Sequence, residues 1–328
     1  MIYIENNSVN PYFNLACEQY CLENLGLNDD IIILWRNDNS VIIGKNQNAF
    51  EEINSDFVKA HGIKVARRLT GGGAVYHDLG NLNYSFILKI DKAETLDYKA
   101  FAVPVVKTLE KMGIAAEISG RNDITIEGKK ISGTAQYIWK NKLLYHGTLL
   151  FDSDMNVLSN ALNVRADKIQ SKSLKSVKSR VTNIKGYLKQ DIDILDFKKL
   201  ILKYLFEGKE FKEYSLTRHD IEYIHKLERE KFATWEWNYG ASPKCNFKNY
   251  MRFGGGGIEI NLNIKGGLIE YCKIYGDFLA VKSLDEFEAG LVGKRYMKED
   301  IGSFLEGMDI TPLFGGISKE EILACIFP

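Results

Sequence analysis

The stretch Arg67-Arg68-Leu69-Thr70-Gly71-Gly72-Gly73-Ala74-Val75-Tyr76-His77-Asp78 constrains this chain more than any other. Three adjacent glycines lose a large amount of backbone entropy on folding, so a structured domain keeps them where main chain must come very close to something. Ile63 to Arg68 and Ala74 to Tyr76 read as short strands, which puts the glycines in a sharp turn between them. A turn without side chains exposes its N–H groups as a concave anion site. Arg68 beside it supplies a planar fork that matches phosphate or carboxylate. Two readings stand at this point: a cradle for a small anionic molecule or nucleotide, and a bare hairpin turn.

At 328 residues the chain has room for about two domains. Its 45% hydrophobic and 26% charged residues are those of a soluble globular protein. With 43 basic and 43 acidic residues the net charge is zero, which argues against a dedicated nucleic-acid binder. Met1 to Glu5 lacks the basic-then-apolar pattern of a signal peptide. The most apolar run, Ile31 to Trp35, is far too short to span a bilayer. A cytoplasmic protein with no membrane association is expected. The five cysteines (Cys17, Cys21, Cys245, Cys272, Cys325) form no Cys-x-x-Cys pair, which suits free thiols and offers no zinc framework. Cys17 and Cys21 share one face of a helical pattern and read as buried structural thiols.

Pro11 to Leu25 reads as an amphipathic helix, and Ile31 to Arg36 and Ser40 to Gly44 as two strands around Asn37-Asp38-Asn39. Glu51 to His61 reads as a helix, Asn81 to Ile90 as a buried strand, and Tyr98 to Gly113 as a helix stopped by its glycine. Ala115 to Ser119, Asp123 to Glu127, Lys130 to Trp139 and Leu143 to Phe151 read as a strand-rich meander with turns at Gly120, Gly128 and Asn141. Strand alternation would put Lys130 and Ser132 on one face and Lys129 on the other. Arg165 to Lys189 carries eight basic residues against Asp167 alone, which is either a solvated loop or a functional basic flap. Asp196 to Phe206 and His219 to Phe232 read as helices. Ala241 to Tyr250, with Pro243, is the linker candidate. From Met251 on, eight basic residues face twelve acidic ones, so a nucleic-acid-binding appendage is not expected there. Gly254 to Gly257 reads as a loop entering a strand and not as a dinucleotide fingerprint.

A second stretch completes the picture: Gly120-Arg121-Asn122-Asp123-Ile124, then Gly128-Lys129-Lys130-Ile131-Ser132-Gly133-Thr134-Ala135. With the first stretch it resembles the lipoate–protein ligase A family, within the superfamily shared with biotin–protein ligases and octanoyl transferases. The same order and spacing extends to Leu34-Trp35-Arg36-Asn37 with Ile43-Gly44-Lys45-Asn46-Gln47-Asn48, to His146-Gly147-Thr148-Leu149-Leu150, to Ser176-Val177-Lys178-Ser179-Arg180-Val181-Thr182-Asn183, and to Thr234–Gly240. The resemblance implies an α/β (α+β) catalytic domain over 1–245, with a mixed, mostly antiparallel sheet flanked by helices, and a small α+β accessory domain over 251–328. It implies ATP, Mg²⁺ and lipoate as ligands. It implies a monomer acting on lipoyl-acceptor proteins, namely E2 lipoyl domains or the glycine-cleavage H protein.

Amide formation from a free carboxylate needs prior activation. ATP supplies it when the acid attacks the α-phosphorus and expels pyrophosphate. A lysine of the acceptor then attacks the acyl-adenylate and releases AMP. Such phosphoryl transfer asks a protein mainly for positioning and charge neutralisation. The resemblance marks Arg68, Gly73, Ala74, Val75, Tyr76 and Lys130 as ATP and lipoate positions, with Lys130 as the central cation of both steps. Asp123 is expected to bind Mg²⁺, to orient Lys130, or to cap a turn. Trp35, Gly72, His77, Asn81 and His146 are candidates for the lipoate pocket, with Trp35 also readable as a core aromatic and His77 as a satisfied core histidine.

Other chemistries find little support. Each Gly-Lys pair is followed by Asn46, Lys130, Glu210 or Arg295, so there is no P-loop, and neither His-Glu-x-x-His nor Gly-x-Ser-x-Gly occurs. A cysteine-based octanoyl or lipoyl transferase of the same fold is the nearest alternative, yet no cysteine lies between Leu22 and Lys244. A non-catalytic lipoate sensor would keep the pocket and have no need of Lys130.

Overall fold

The computed structural model describes residues 1–27, 29–47, 49–90, 101–120, 122–162, 180–206, 211–239, 247–265 and 267–327. In chain order the strands are β1 (Ile2–Glu5), β2 (Ile31–Trp35), β3 (Ser40–Ile43), β4 (Lys64–Arg67), β5 (Val75–His77), β6 (Asn81–Lys89), β7 (Ala116–Ser119), β8 (Asp123–Ile126), β9 (Lys129–Trp139), β10 (Lys142–Leu150), β11 (Lys212–Tyr214), β12 (Phe247–Phe253), β13 (Gly256–Lys265) and β14 (Leu268–Gly276).

Eight strands form one sheet in the order β11-β1-β2-β6-β10-β9-β8-β7, parallel at β11-β1-β2 and antiparallel from β2 onward. Side chains alternate across it. Leu34, Leu82, Tyr84 and Tyr145 join one apolar cluster with the helices Val103–Lys111 and Ile194–Leu205. Ile31, Ile33, Trp35 and Leu144 join another with the helices Pro11–Glu23 and Arg218–Leu227. The first helix is therefore not a half-exposed amphipathic one. Ten of its residues are buried, the polar Asn14, Glu18 and Gln19 included, because each meets a hydrogen-bonding partner in the protein: Asn14 the Arg36 carbonyl, Glu18 Ser85 and Gln19 Lys231.

The segments either side of Asn37-Asp38-Asn39 do not form a hairpin. β2 belongs to the large sheet, and β3 is the centre of a separate three-stranded sheet β4-β3-β5. β4 and β5 likewise do not pair with each other. Each pairs with β3, in parallel and antiparallel sense respectively, so the glycines span the gap between two outer strands. The region read as one helix over 51–61 is two short ones, Ala49–Glu52 and Ser55–Ala60.

β12, β13 and β14 form an antiparallel sheet packed by the helices Asp285–Leu291, Lys298–Glu306 and Lys319–Ile326 around a core of their own. This unit meets the rest of the chain along one seam. Asn46 O accepts from Gly276 N (2.5 Å), Phe278 O accepts from Gly72 N (3.2 Å), and Val281 O accepts from Ile138 N (2.7 Å). Most of the basic stretch, residues 163–179, lies outside the described residues. Its end folds back onto β9, where Thr182 N donates to Lys130 O (3.0 Å).

Candidate active site

The three glycines of the organising turn stand in three different surroundings. A Cβ on Gly71 would stand 2.8 Å from Phe278 O and 2.9 Å from Ala280 N, both main-chain atoms of the C-terminal unit. Gly72 has φ +87°, a conformation that side chains disfavour. A Cβ on Gly73 would meet nothing within 4 Å, because Gly73 borders a cavity.

Arg68 shapes this turn. Its Nη2 donates to Gly71 O (2.5 Å) and Gly73 O (2.9 Å), its Nη1 to Ile42 O (3.1 Å), and its Nε to Thr70 Oγ1 (2.9 Å). Four of its five N–H groups thus hold protein oxygens, which leaves one for a ligand. Burial lowers its pKa to about 10, and it remains a cation at neutral pH. Arg67 points elsewhere and ties the chain together, donating to Gly44 O, Lys45 O, Gln47 O, Trp237 O and Asn238 O.

The cavity, about 100 Å³, opens between the turn, β2, β6, β9, β10 and the first helix. Lys130, Asn122 and Thr134 stand in its polar part, and Leu15, Trp35, Ile42 and Val75 form an apolar part. Lys130 Nζ lies 2.7 Å from Asp123 Oδ1. Both side chains are about a third exposed, at 34% and 32%, so this pair adds little to stability and mainly aims the ammonium. Lys130 passes across Gly133, where a Cβ would stand 2.9 Å from its Nζ. The expectation that Ser132 shares its face is corrected. A bulge opposite Ile124 and Thr125 breaks the alternation, and Ser132 is buried outside the cavity wall.

Nine of the twelve anticipated residues line the cavity: Lys130, Arg68, Gly72, Gly73, Ala74, Val75, Trp35, His77 and His146. Three do not. Tyr76 alternates away from Val75 and His77, and its hydroxyl donates to Asn39 Oδ1 (3.0 Å). Asn81 is fully buried and donates to Asn83 Oδ1 (2.9 Å). Asp123 stands behind Lys130. That carboxylate is engaged with Lys130, and the described residues hold no group of three metal-binding side chains.

Sequence reasoning missed Glu18, Thr70, Asn83, Asn122 and Thr148. Asn81, Asn83 and Ser85 are a period-two polar row in an apolar strand, which was a readable signal. Glu18 carries none, since it is one carboxylate on a helix. Its role is visible only in space. Thr70 Oγ1, which accepts from Arg68, donates to His146 Nε2 (2.8 Å), and His146 Nδ1 donates to Glu18 Oε1 (2.9 Å). Ser85 Oγ donates to the same oxygen (2.5 Å) and accepts from Trp35 Nε1 (2.7 Å). This buried chain joins the arginine that shapes the turn to the indole of the apolar wall.

A cavity with a cation and an apolar wall, and a bare main-chain turn alongside, suits an amphiphilic acid next to a nucleotide. Comparison with known proteins agrees. Residues 10–206 match the lipoyl protein ligase A/B catalytic domain, and residues 242–326 match the bacterial lipoate protein ligase C-terminus. The chain belongs to the lipoate–protein ligase family. It is 45% identical to lipoate-protein ligase LplJ of Bacillus subtilis (strain 168), over 100% of both chains. Its fold matches the crystal structure of P. falciparum LipL1 in complex with lipoate at a TM-score of 0.80, with 29% identity and 94% of each chain covered. It matches the crystal structure of lipoate-protein ligase A bound with ATP at 0.64, with 31% identity over 73% of this chain and 97% of that one.

Proposed function

We propose that this chain is an ATP-dependent lipoate–protein ligase, and that Lys130 is its central cation. The observation that carries the assignment of Lys130 is its place in the cavity wall, aimed by Asp123 and seated over Gly133. Free lipoate lies with its carboxylate at Lys130 and its tail against Leu15, Trp35, Ile42 and Val75. The carboxylate oxygen attacks the α-phosphorus, and the bond to the β-phosphate oxygen breaks to release pyrophosphate. The ammonium neutralises charge on both reacting groups without a change of partner. In the second half-reaction a neutral lysine amine of the acceptor attacks the acyl carbonyl and loses a proton, and AMP departs.

Main-chain groups of Gly73 to Tyr76 face the nucleotide, with Tyr76 contributing backbone only. Arg68 acts mainly by fixing the turn through the Gly71 and Gly73 carbonyls, while the Gly72 N–H is already taken by Phe278 O. Mg²⁺ would enter on the phosphates of ATP, where Asp123 is the carboxylate that could take part in holding it. The catalytic domain spans 1–245 and the accessory domain 251–328, and the second opens and closes over the first between the half-reactions. The enzyme works as a monomer in the cytoplasm. Its acceptors are E2 lipoyl domains or the H protein, met by the basic stretch 165–189.

The transferase alternative would need a reactive thiolate. Cys17 and Cys21 are fully buried in the first helix and outside the cavity wall, and hydrogen bonding with Cys17 and burial raise the Cys21 pKa well above that of a free thiol. The test is lipoate-dependent ATP–pyrophosphate exchange in wild type and Lys130→Ala. A loss of about 10²–10³ in rate is expected, the size seen when one preorganised electrostatic donor is removed. Exchange that survives in the variant would move the central cation elsewhere.

A further inference from the structure

We propose that His77 distinguishes a sulfur-bearing acyl tail from a plain hydrocarbon one, by donating its Nε2–H to a ring sulfur of the bound acid. The inference rests on the ligase reading above and concerns the tail end of the same cavity.

His77 stands in the apolar part of the wall. It pairs with Ser40 across β3, two residues along from Val75 opposite Ile42, and its ring centroid is 6.4 Å from that of Trp35 in an edge-on arrangement. A network behind it decides where its proton sits. Asn14 Nδ2 faces three oxygens, Ser8 O (3.0 Å), Arg36 O (2.8 Å) and Asn37 Oδ1 (2.9 Å), while Asn6 Nδ2 donates to Asn14 Oδ1 (2.9 Å). Asn37 therefore presents its amide nitrogen to His77 Nδ1, at 3.1 Å. Nδ1 is the acceptor, and the proton of the neutral ring is on Nε2.

That Nε2–H has no protein partner among the described residues, although His77 is only 3% exposed. Buried donors are nearly always matched, so an unmatched donor on a residue of the cavity wall points to an acceptor brought by the ligand. The carboxylate end of the acid belongs at Lys130. A saturated fatty tail carries no acceptor and would leave the N–H buried and unmatched. A dithiolane carries two sulfurs, which accept weakly and pack well at aromatic edges such as the nearby Trp35.

The experiment compares lipoate with octanoate, which has the same eight-carbon chain without sulfur, in acid-dependent ATP–pyrophosphate exchange. The lipoate-to-octanoate ratio of kcat/KM is expected to fall about tenfold in His77→Phe, about the range of one hydrogen bond together with relief of the unmatched donor. His77→Gln, whose amide can present an N–H, is expected to regain part of the ratio. A ratio within about twofold of wild type in His77→Phe would overturn the proposal. A second measurement is independent of how the variants fold. The ¹H–¹⁵N ring signal of His77 in the full-length wild-type chain should move on adding lipoate and differ from its position with octanoate. Identical positions with the two acids would also overturn it. No exchange with either acid in wild type would instead defeat the ligase reading, and the ring signal would still decide this one.

Discussion

His77 shows how a single side chain can link chemistry to stability. Burial, the charge of Arg68 and the neighbouring His146 lower its pKa from 6.5 to about 3. The folded protein therefore resists protonation that the unfolded chain accepts. As pH falls below about 6.5 the unfolded state binds the extra proton and stability is lost, until the folded ring also titrates near pH 3. Urea unfolding should show about 2 kcal/mol less stability at about pH 5 than at about pH 8 from this residue alone. His77→Gln should lose that part of the slope. Superimposable pH profiles would mean that the ring is not held neutral. His77 was legible as a candidate from the motif, but the choice between pocket and core was a false one. The ring is buried and lines the cavity at once, since only Nδ1 faces the interior network.

The turn Gly71–Gly73 is where element-level packing and ligand access meet. Adding one methyl group at Gly71 drives it into the Phe278 and Ala280 backbone, which cannot rotate away. Gly71→Ala should cost about 2 kcal/mol in denaturant unfolding, the usual cost of overpacking. Gly73→Ala meets open space and should stay within about 0.5 kcal/mol of wild type, while raising KM for ATP by crowding the cavity. Equal destabilisation by the two would mean that the turn is not pinned by the C-terminal unit. The strands flanking this turn were readable by their β-formers. Their pairing was not, because which strand lies between two others is set by packing across the chain and not by local pattern. The bulge that separates Lys130 from Ser132 was hidden for the same reason.

At the scale of the whole molecule, a net charge of zero conceals an uneven distribution, with eight basic residues over 165–189 against one acidic. If that stretch meets an acidic acceptor, the encounter is screened by salt more than the adenylation chemistry in the cavity. Raising salt from about 50 to about 300 mM should lower kcat/KM for lipoyl transfer to an acceptor domain several-fold, and change lipoate-dependent exchange less than twofold. Parallel declines would assign the salt effect to ATP binding.

What the sequence by itself determined is local and chemical. Glycines in a row need a close approach, the resemblance of the motifs singles out Arg68 and Lys130, and the meander from Ala115 to Phe151 follows from alternation and turn residues. What only the tertiary structure decided is which groups face one another. Glu18 and Arg68, fifty residues apart, are joined through His146 and Thr70. Arg68 is committed to Thr70, Ile42 and the turn's Gly71 and Gly73 carbonyls, and Val281 from the far end of the chain closes against β9. The physical reason is that hydrogen-bond partnership and burial depend on distance in space, which local periodicity does not encode.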